Sequence, residues 1–172
     1  LVIRRQRQMC IRDSTKVLNI LQKEDDTWFV ETDKGVIECE HVVSCSGNFA
    51  RKTGEMVGLD IPVMPVEHQY IVTDPHPEIL ERKKLGLPEQ AVLRESDAGY
   101  YLREEAGGFI LGPYEDGAPC CYVDGPSDDS EYELFNGDLD RLMPHVEACM
   151  SRVPAFAEVG VKTIYNLSLI HI

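Results

Sequence analysis

Alternating apolar and polar residues predict a group of short strands in the first third of the chain. Apolar positions alternate with polar ones through residues 17–21 and 28–30, on either side of an acidic turn at 24–26. This period of two predicts two half-buried strands joined by a tight turn. After a second turn at 33–35, a third predicted strand starts at Val36, becomes continuously apolar at Val42 and ends at Cys45.

Small residues follow this third predicted strand. At the Ser46–Gly47 turn, the absence of a Cβ on Gly47 permits unusual backbone angles and a close approach of backbone N–H groups to a ligand. Asn48 is predicted to cap a helix that continues to Val57 on one apolar face. A strand, a tight turn and a helix start suit a dinucleotide, although any connection from a strand to a helix shares this pattern.

A second pattern begins after two prolines that favour an extended crossover, Pro62 and Pro65. In the strand that follows, His68 lies on the same face as Tyr70 and Val72, because alternate residues share a face. Three more strands are predicted at 91–94, 100–104 and 109–112. The turns between these three strands are short, which predicts an antiparallel meander.

The remaining segments are a loop, a connection, a helix and a final strand. Residues 81–84 are charged and predict a solvated connection, and residues 115–130 predict a surface loop. From Asp138, apolar residues recur with helical spacing, but Pro144 predicts a short first turn, a kink and a main helix from about 143 to 152. A strand starting at Val159 is predicted to return to the sheet.

Composition excludes several classes of protein. The net charge of −13 argues against non-specific nucleic-acid binding, which requires a basic surface. No apolar run reaches the length of a membrane span, so we expect no membrane insertion. The six cysteines show neither a disulfide framework nor a C-x-x-C pair, and the histidines are scattered, so we expect reduced thiols and no metal site.

Four residues of the predicted meander and its preceding strand are candidates for chemistry. Imidazole as a group titrates near neutrality, so His68 can exchange a proton with an amine or hold a carboxylate. Tyr100 and Tyr101 point to opposite faces, so only one can serve a given site, and spacing does not choose between them. Arg103 lies on the Tyr101 face, where it can bind a carboxylate or form a surface salt bridge with a neighbouring glutamate.

Several segments, in the same order, resemble one family. Residues 36–51, with the preceding hairpin, resemble the second part of the FAD-binding domain of glycine-oxidase-like amine oxidoreductases. Later motifs are similar to the dimethylglycine and sarcosine dehydrogenase branch of that family: Glu67–Asp74, Val92–Arg94, Tyr100–Glu105, Gly108–Glu115, Glu133–Phe135 and Asp138–Glu147. The resemblance covers roughly residues 15 to 166.

The resemblance implies an α+β chain in which the end of a Rossmann-like FAD-binding domain precedes an antiparallel substrate domain with a flanking helix. It implies FAD as the cofactor and a small N-methylglycine as the substrate, oxidised by hydride transfer. It assigns cofactor contacts to Val17, Ser46, Gly47 and Phe49, the last at a position where the family commonly has tryptophan. It also favours His68 and Tyr101 as catalytic residues, with Tyr100 in the packing layer; Tyr100 and Arg103 remain candidate substrate contacts.

The same resemblance sets the expected boundaries. We expect an FAD-binding segment at 15–64 and a substrate domain at 65–166, with residues 1–14 and 167–172 as non-native ends of an internal fragment. No G-x-G-x-x-G loop occurs in the chain, so the fragment alone is expected to be inactive.

Three functions remain open from the sequence: dimethylglycine demethylation, oxidation of sarcosine or another secondary amine, and a non-catalytic ligand-binding module. Two electron acceptors are compatible with the resemblance, an electron-transfer flavoprotein or oxygen. The resemblance also allows a tetrahydrofolate-binding domain elsewhere in the full chain. It favours the cytoplasm for a bacterial protein and the mitochondrial matrix for a eukaryotic one.

Overall fold

The computed structural model describes residues 11–130 and 133–171, which form two units divided between Ile61 and Pro62. Most of the segment 1–14, as well as Ile172, lies outside the described residues. The division falls close to the boundary expected after residue 64, in the crossover that contains Pro62 and Pro65.

The first unit contains a three-stranded antiparallel sheet in the order β1-β2-β3, formed by β1 (Val17–Gln22), β2 (Trp28–Thr32) and β3 (Gly35–Cys39). The predicted extension of the third strand to Cys45 is wrong, because β3 ends at Cys39 and residues 40–46 have no strand structure. The apolar run there is solvent-exposed, and Val43 is 83% exposed. Within the described residues it has no neighbouring strand with which to pair.

The helix that follows is shorter than predicted. A 3₁₀ turn at Gly47–Phe49 leads into α1 (Ala50–Glu55). Asn48 lies inside the 3₁₀ turn rather than at a helix cap, and neither segment has a side-chain cap hydrogen bond. The start of α1 is therefore set by the backbone of the preceding turn and not by the predicted cap.

The second unit is built on a five-stranded sheet in which every pairing is antiparallel, with the order β5-β6-β7-β4-β8. The strands are β4 (Met64–Thr73), β5 (Leu93–Glu95), β6 (Tyr100–Glu105), β7 (Gly108–Pro113) and β8 (Val161–His171). The sheet contains the predicted meander as β5-β6-β7. β8 pairs along the whole of β4 and includes residues 167–171, most of the segment expected to be a non-native end.

Two helices flank this sheet. Residues 81–84 are solvated as predicted, but they do not form an irregular connection, because they end α2 (Pro77–Lys84), whose first turn is capped by the His76 side chain. The helix α3 (Leu139–Arg152) runs as one element through Pro144, starting earlier than the main helix that we predicted. Pro144 is the sixth residue of α3, inside the helix, where it removes the backbone donor that would otherwise bond the carbonyl of Asp140.

The core of the second unit lies between α3 and one face of the sheet. Leu142, Val146 and Cys149 of α3 pack against buried sheet residues, namely Ile71, Tyr100, Leu102 and Leu111. This packing leaves the opposite face of the sheet uncovered by α3. The architecture confirms the predicted α+β class, with two antiparallel sheets and a flanking helix.

The buried thiol of Cys149 leads to a pH-dependent prediction. Burial raises the pKa of Cys149 from an ordinary 9.0 to about 12, and the side chain is fully inaccessible. As the pH rises from about 9 towards about 12, the unfolded chain releases this proton while the folded chain retains it. Stability is therefore lost across that range, by up to about 1.4 kcal/mol per pH unit for one proton.

Urea unfolding at about pH 8 and at about pH 10 measures this effect. The Cys149→Ala variant is expected to lose less stability between the two pH values than the parent chain. Cys120→Ala, at an exposed cysteine, is the matched control and should behave like the parent. Equal losses in all three proteins would contradict the role of Cys149.

No helix in the part of the chain that the structure describes is long and apolar enough to cross a bilayer. In the same residues, no cluster of three or more histidine, cysteine, aspartate or glutamate side chains is arranged to hold a metal ion.

Candidate active site

Aromatic side chains gather on the face of the second sheet that α3 leaves uncovered. Along β4, Gln69 and Ile71 are buried towards α3, so His68 and Tyr70 lie on the other face. In β6, the same alternation buries Tyr100 on the α3 side and places Tyr101 on the uncovered face. We call this face the aromatic face.

Three rings on the aromatic face form a chain of contacts. Tyr114, just past the end of β7, contacts His68 with ring centroids 6.2 Å apart and an interplanar angle of 73°. Its other neighbour is Tyr101, at 6.1 Å and 57°. Tyr114 is 49% exposed, and His68 and Tyr101 are half-buried. The three rings therefore present π surfaces, two hydroxyl groups and one imidazole to a small ligand.

A second aromatic pair borders these rings. Tyr70 stacks on Tyr165 of β8, with centroids 5.0 Å apart and planes inclined by 25°. Burial, followed by the neighbouring Tyr165 and Tyr101, raises the pKa of Tyr70 above its usual value. The Tyr70 hydroxyl therefore remains protonated at neutral pH and is available as a hydrogen-bond donor.

The structure separates the two adjacent tyrosines, which spacing left unresolved and for which the resemblance favoured Tyr101 as the site residue. Tyr100 is 1% exposed, and burial raises its pKa, with Cys149 as a further contribution. It belongs to the core beneath the sheet, so we remove it from the candidate substrate contacts. Arg103, on the same face as Tyr101, forms a salt bridge of 2.7 Å with Glu105, and both side chains are about two-fifths exposed.

A partly buried ionic network lies behind the aromatic face. The side chain of Glu115 is 4% exposed, and its carboxylate accepts hydrogen bonds from the backbone N–H of Gln69 at 3.2 Å and from Nε of Arg141 at 2.8 Å. Arg141 also reaches Glu67 at 3.2 Å. Since Gln69 and Glu115 each directly follow one of the three rings in sequence, this network fixes the backbone beside both.

The candidate cofactor residues lie in the first unit. Ser46 forms hydroxyl contacts of 2.9 Å with Ser44 and with Thr53, whose Oγ1 also donates to the carbonyl of Phe49 at 3.1 Å. Gly47 has a φ of +55°, and no atom lies within 4 Å of the position that a Cβ would occupy. The turn thus combines three hydroxyl groups with a backbone segment open to close approach.

The other two cofactor candidates are partly exposed. Val17, at the start of β1, is 40% exposed. The ring of Phe49 is half-buried, and the ammonium group of Lys52 lies 6.0 Å from its centroid. Neither residue is part of a closed hydrophobic core, so both remain accessible to a ligand.

Comparison with known proteins identifies the family. Residues 4–165 match the model of the FAD dependent oxidoreductase family. The chain is 38% identical over 155 residues to the mitochondrial dimethylglycine dehydrogenase of Rattus norvegicus, covering 87% of this chain and 18% of that protein. It is 34% identical over 134 residues to the mitochondrial sarcosine dehydrogenase of Mus musculus, covering 78% and 14%.

Among solved structures, glycine oxidase from Geobacillus kaustophilus superposes with a TM-score of 0.61 at 20% identity. That likeness covers 94% of this chain and 38% of the glycine oxidase chain. The chain belongs to the FAD-dependent oxidoreductase family, which confirms the resemblance inferred from its motifs. It spans less than a fifth of the curated relatives that it matches.

FAD is the cofactor of this family, and the residues of the first unit fit part of it. The positive φ and open space at Gly47, with the three hydroxyl groups around Ser46, suit close contact with a polar section of a dinucleotide. Phe49, in the same turn, offers an apolar contact, and Val17 at the start of β1 is a second accessible apolar residue of this unit. These residues would hold FAD, which supplies a two-electron acceptor when bound.

Sequence reasoning missed three features of the site. Tyr114 and Gly112 continue the alternation of β7 on the aromatic face, so the period of two could have indicated both. Glu115 was assigned to a surface loop because its partner Arg141 is distant in sequence. No local sequence pattern predicts a buried ion pair between residues as far apart as Glu115 and Arg141.

Proposed function

We propose that this chain contributes a substrate-binding face and part of a cofactor site to an FAD-dependent oxidoreductase that removes an N-methyl group from dimethylglycine. The observation that carries the proposal is the exposed chain of His68, Tyr114 and Tyr101, in a sequence 38% identical to a dimethylglycine dehydrogenase. When bound, FAD would supply the two-electron acceptor for oxidation of the N-methyl carbon, and hydrolysis of the resulting substrate iminium would release that carbon as formaldehyde.

The three rings suit a methylated amine. Aromatic faces attract a cationic ammonium group and make apolar contact with its methyl groups. We assign binding of the substrate N-methyl groups to the faces of Tyr101 and Tyr114. Both rings are partly exposed on the aromatic face, which leaves room for a ligand.

Proton control is assigned to His68. Oxidation of the N-methyl carbon requires a free lone pair on nitrogen, and an ammonium ion must first lose its proton. An imidazole nitrogen of His68 accepts that proton, because imidazole titrates near neutral pH.

The substrate carboxylate is assigned to the Tyr101 hydroxyl. A phenol hydroxyl donates one hydrogen bond to a carboxylate oxygen. Arg103 is the alternative, but its guanidinium already binds Glu105 at 2.7 Å and would have to exchange that partner for the substrate. In the first unit, Ser46 and Gly47 are assigned to polar FAD contacts.

Anaerobic titration of the flavin-loaded holoenzyme tests the proposal. Dimethylglycine is expected to bleach the flavin absorbance, and glycine, which has no N-methyl group, is the negative control. Titration with sarcosine distinguishes the proposal from the second candidate function, sarcosine oxidation, which is favoured by the 34% identity to a sarcosine dehydrogenase. Bleaching by sarcosine alone would replace the proposed substrate, and bleaching by neither compound would refute oxidation of N-methylglycines.

The source of the chain bears on its cellular location. The two curated relatives reported above are mitochondrial proteins. For a eukaryotic source we therefore propose the mitochondrial matrix, and for a bacterial source the cytoplasm.

A further inference from the structure

Gly112 lies directly beneath the ring of Tyr101. The two residues are cross-strand partners, Tyr101 in β6 and Gly112 in β7. A Cβ built on Gly112 would overlap the Cε1 and Cζ atoms and the hydroxyl oxygen of Tyr101. The tyrosine ring therefore lies across the neighbouring strand, in the space that any other residue at 112 would fill.

The backbone does not require glycine at this position. Gly112 does not adopt a positive φ, in contrast to Gly99 and Gly107 in the turns that flank β6. An alanine could adopt the extended conformation of β7 without backbone strain. The structural reason for glycine is thus the ring of Tyr101.

The remaining surroundings of the ring limit where it can move. Tyr114 borders Tyr101 on the aromatic face, with ring centroids 6.1 Å apart. A side chain at residue 112 would lift the Tyr101 ring away from the sheet, into the space above the aromatic face. That is the space assigned above to the methylated amine.

We propose that Gly112 is a positioning residue, which holds the Tyr101 hydroxyl low on the sheet and keeps the space above it open for the substrate. This inference rests on the proposed function, because it concerns the same site. It makes residue 112 a determinant of which N-methylated amines the site accepts, since the height of the ring sets the room for substituents on nitrogen.

Kinetics of the holoenzyme provide the first test. Gly112→Ala is expected to lower kcat/KM for dimethylglycine about tenfold, mainly through a higher KM, because substrate binding is impaired. In a Tyr101→Ala background there is no ring to displace, so adding Gly112→Ala should change kcat/KM less than about twofold. A further tenfold loss in the double variant would overturn the proposal.

A chemical probe provides a readout independent of activity. Nitration of Tyr101 by tetranitromethane, located by fragment mass spectrometry, should be faster in Gly112→Ala, because the displaced ring is more exposed. Tyr100 in the same peptide is buried and serves as the internal control. An unchanged nitration rate at Tyr101 would overturn the proposal. This result is independent of whether the holoenzyme oxidises dimethylglycine, so the two proposals fail separately.

The same set of variants distinguishes a failure to fold from a loss of Tyr101 positioning. If Gly112→Ala fails to fold because of the clash, the double variant with Tyr101→Ala should fold as well as Tyr101→Ala alone. A double variant that also fails to fold would mean that glycine at 112 is required for another reason, which would overturn the proposal.

Discussion

Replacing Glu115 by alanine is expected to lower the free energy of unfolding by about 3 kcal/mol. The carboxylate is almost fully buried and accepts hydrogen bonds from the guanidinium of Arg141 and from both the backbone N–H and the side-chain amide of Gln69. Its removal leaves the Arg141 charge without its buried partner and the Gln69 N–H without an acceptor. Both are costly because water cannot fully replace the lost partner.

Urea unfolding of the Glu115→Ala variant measures this cost. Glu105→Ala is the matched control, because Glu105 also pairs with an arginine, Arg103 at 2.7 Å, but on the exposed surface. An exposed pair contributes less than about 1 kcal/mol, so the control should lose little stability. Similar losses in the two variants would mean that the Glu115 network does not stabilise the sheet.

Replacing His68 by alanine is expected to lower kcat/KM of the holoenzyme for dimethylglycine about hundredfold. The variant removes the group assigned to accept the amine proton and also the ring that packs on Tyr114. The loss should shrink as the pH is raised towards the pKa of the amine, because more substrate then arrives without its proton. Steady-state kinetics across a pH series measure both effects.

His145→Gln is the control for the His68 variant. His145 lies on α3, and its Nδ1 hydrogen-bonds the carbonyl of Ala98 at 2.8 Å, so a glutamine retains a donor there. This control should keep the parental pH profile. If His68→Ala remained within threefold of the parent at all pH values, the proton-accepting role would be wrong.

The elements predicted best are those that depend on neighbouring residues alone. Alternation placed β6 and β7 close to their observed bounds, and the turn glycines Gly99 and Gly107 adopt positive φ values of +61° and +87°. Alternation also required Tyr100 and Tyr101 to face opposite sides. Which side is buried depends on the packing of α3, an element distant in sequence, so the sequence left that choice open.

The errors have a common physical origin. Residues 42–45 are as apolar as a buried strand, yet a strand needs hydrogen-bonding neighbours, and none lies beside them within the described residues. The helix α2 was missed because His76 is not a common cap, although its Nδ1 accepts the backbone N–H of Glu78 at 3.3 Å. Pro77 at the first helical position was the available signal.

The candidate site was predicted only in part. His68 and Tyr101 could be named from side-chain chemistry and the resemblance, and the structure places both beside Tyr114. The Glu115–Arg141 pair could not be inferred, because its members are 26 positions apart and lie in different elements. The contacts of the first unit with FAD rest on the family resemblance and remain predictions.

The short ladder between β4 and β7 affects how this site could change. Its register pairs Ile71 with Leu111 and Val72 with Ile110, and beyond these pairs a backbone donor of β4 is bound by the Glu115 side chain. Strand separation elsewhere in the sheet is fixed by peptide geometry, which substitution cannot alter. At this end a side chain takes the place of a backbone partner at Gln69, so a substitution at residue 115 can change the spacing of the two strands beside the site while the backbone ladders keep their register.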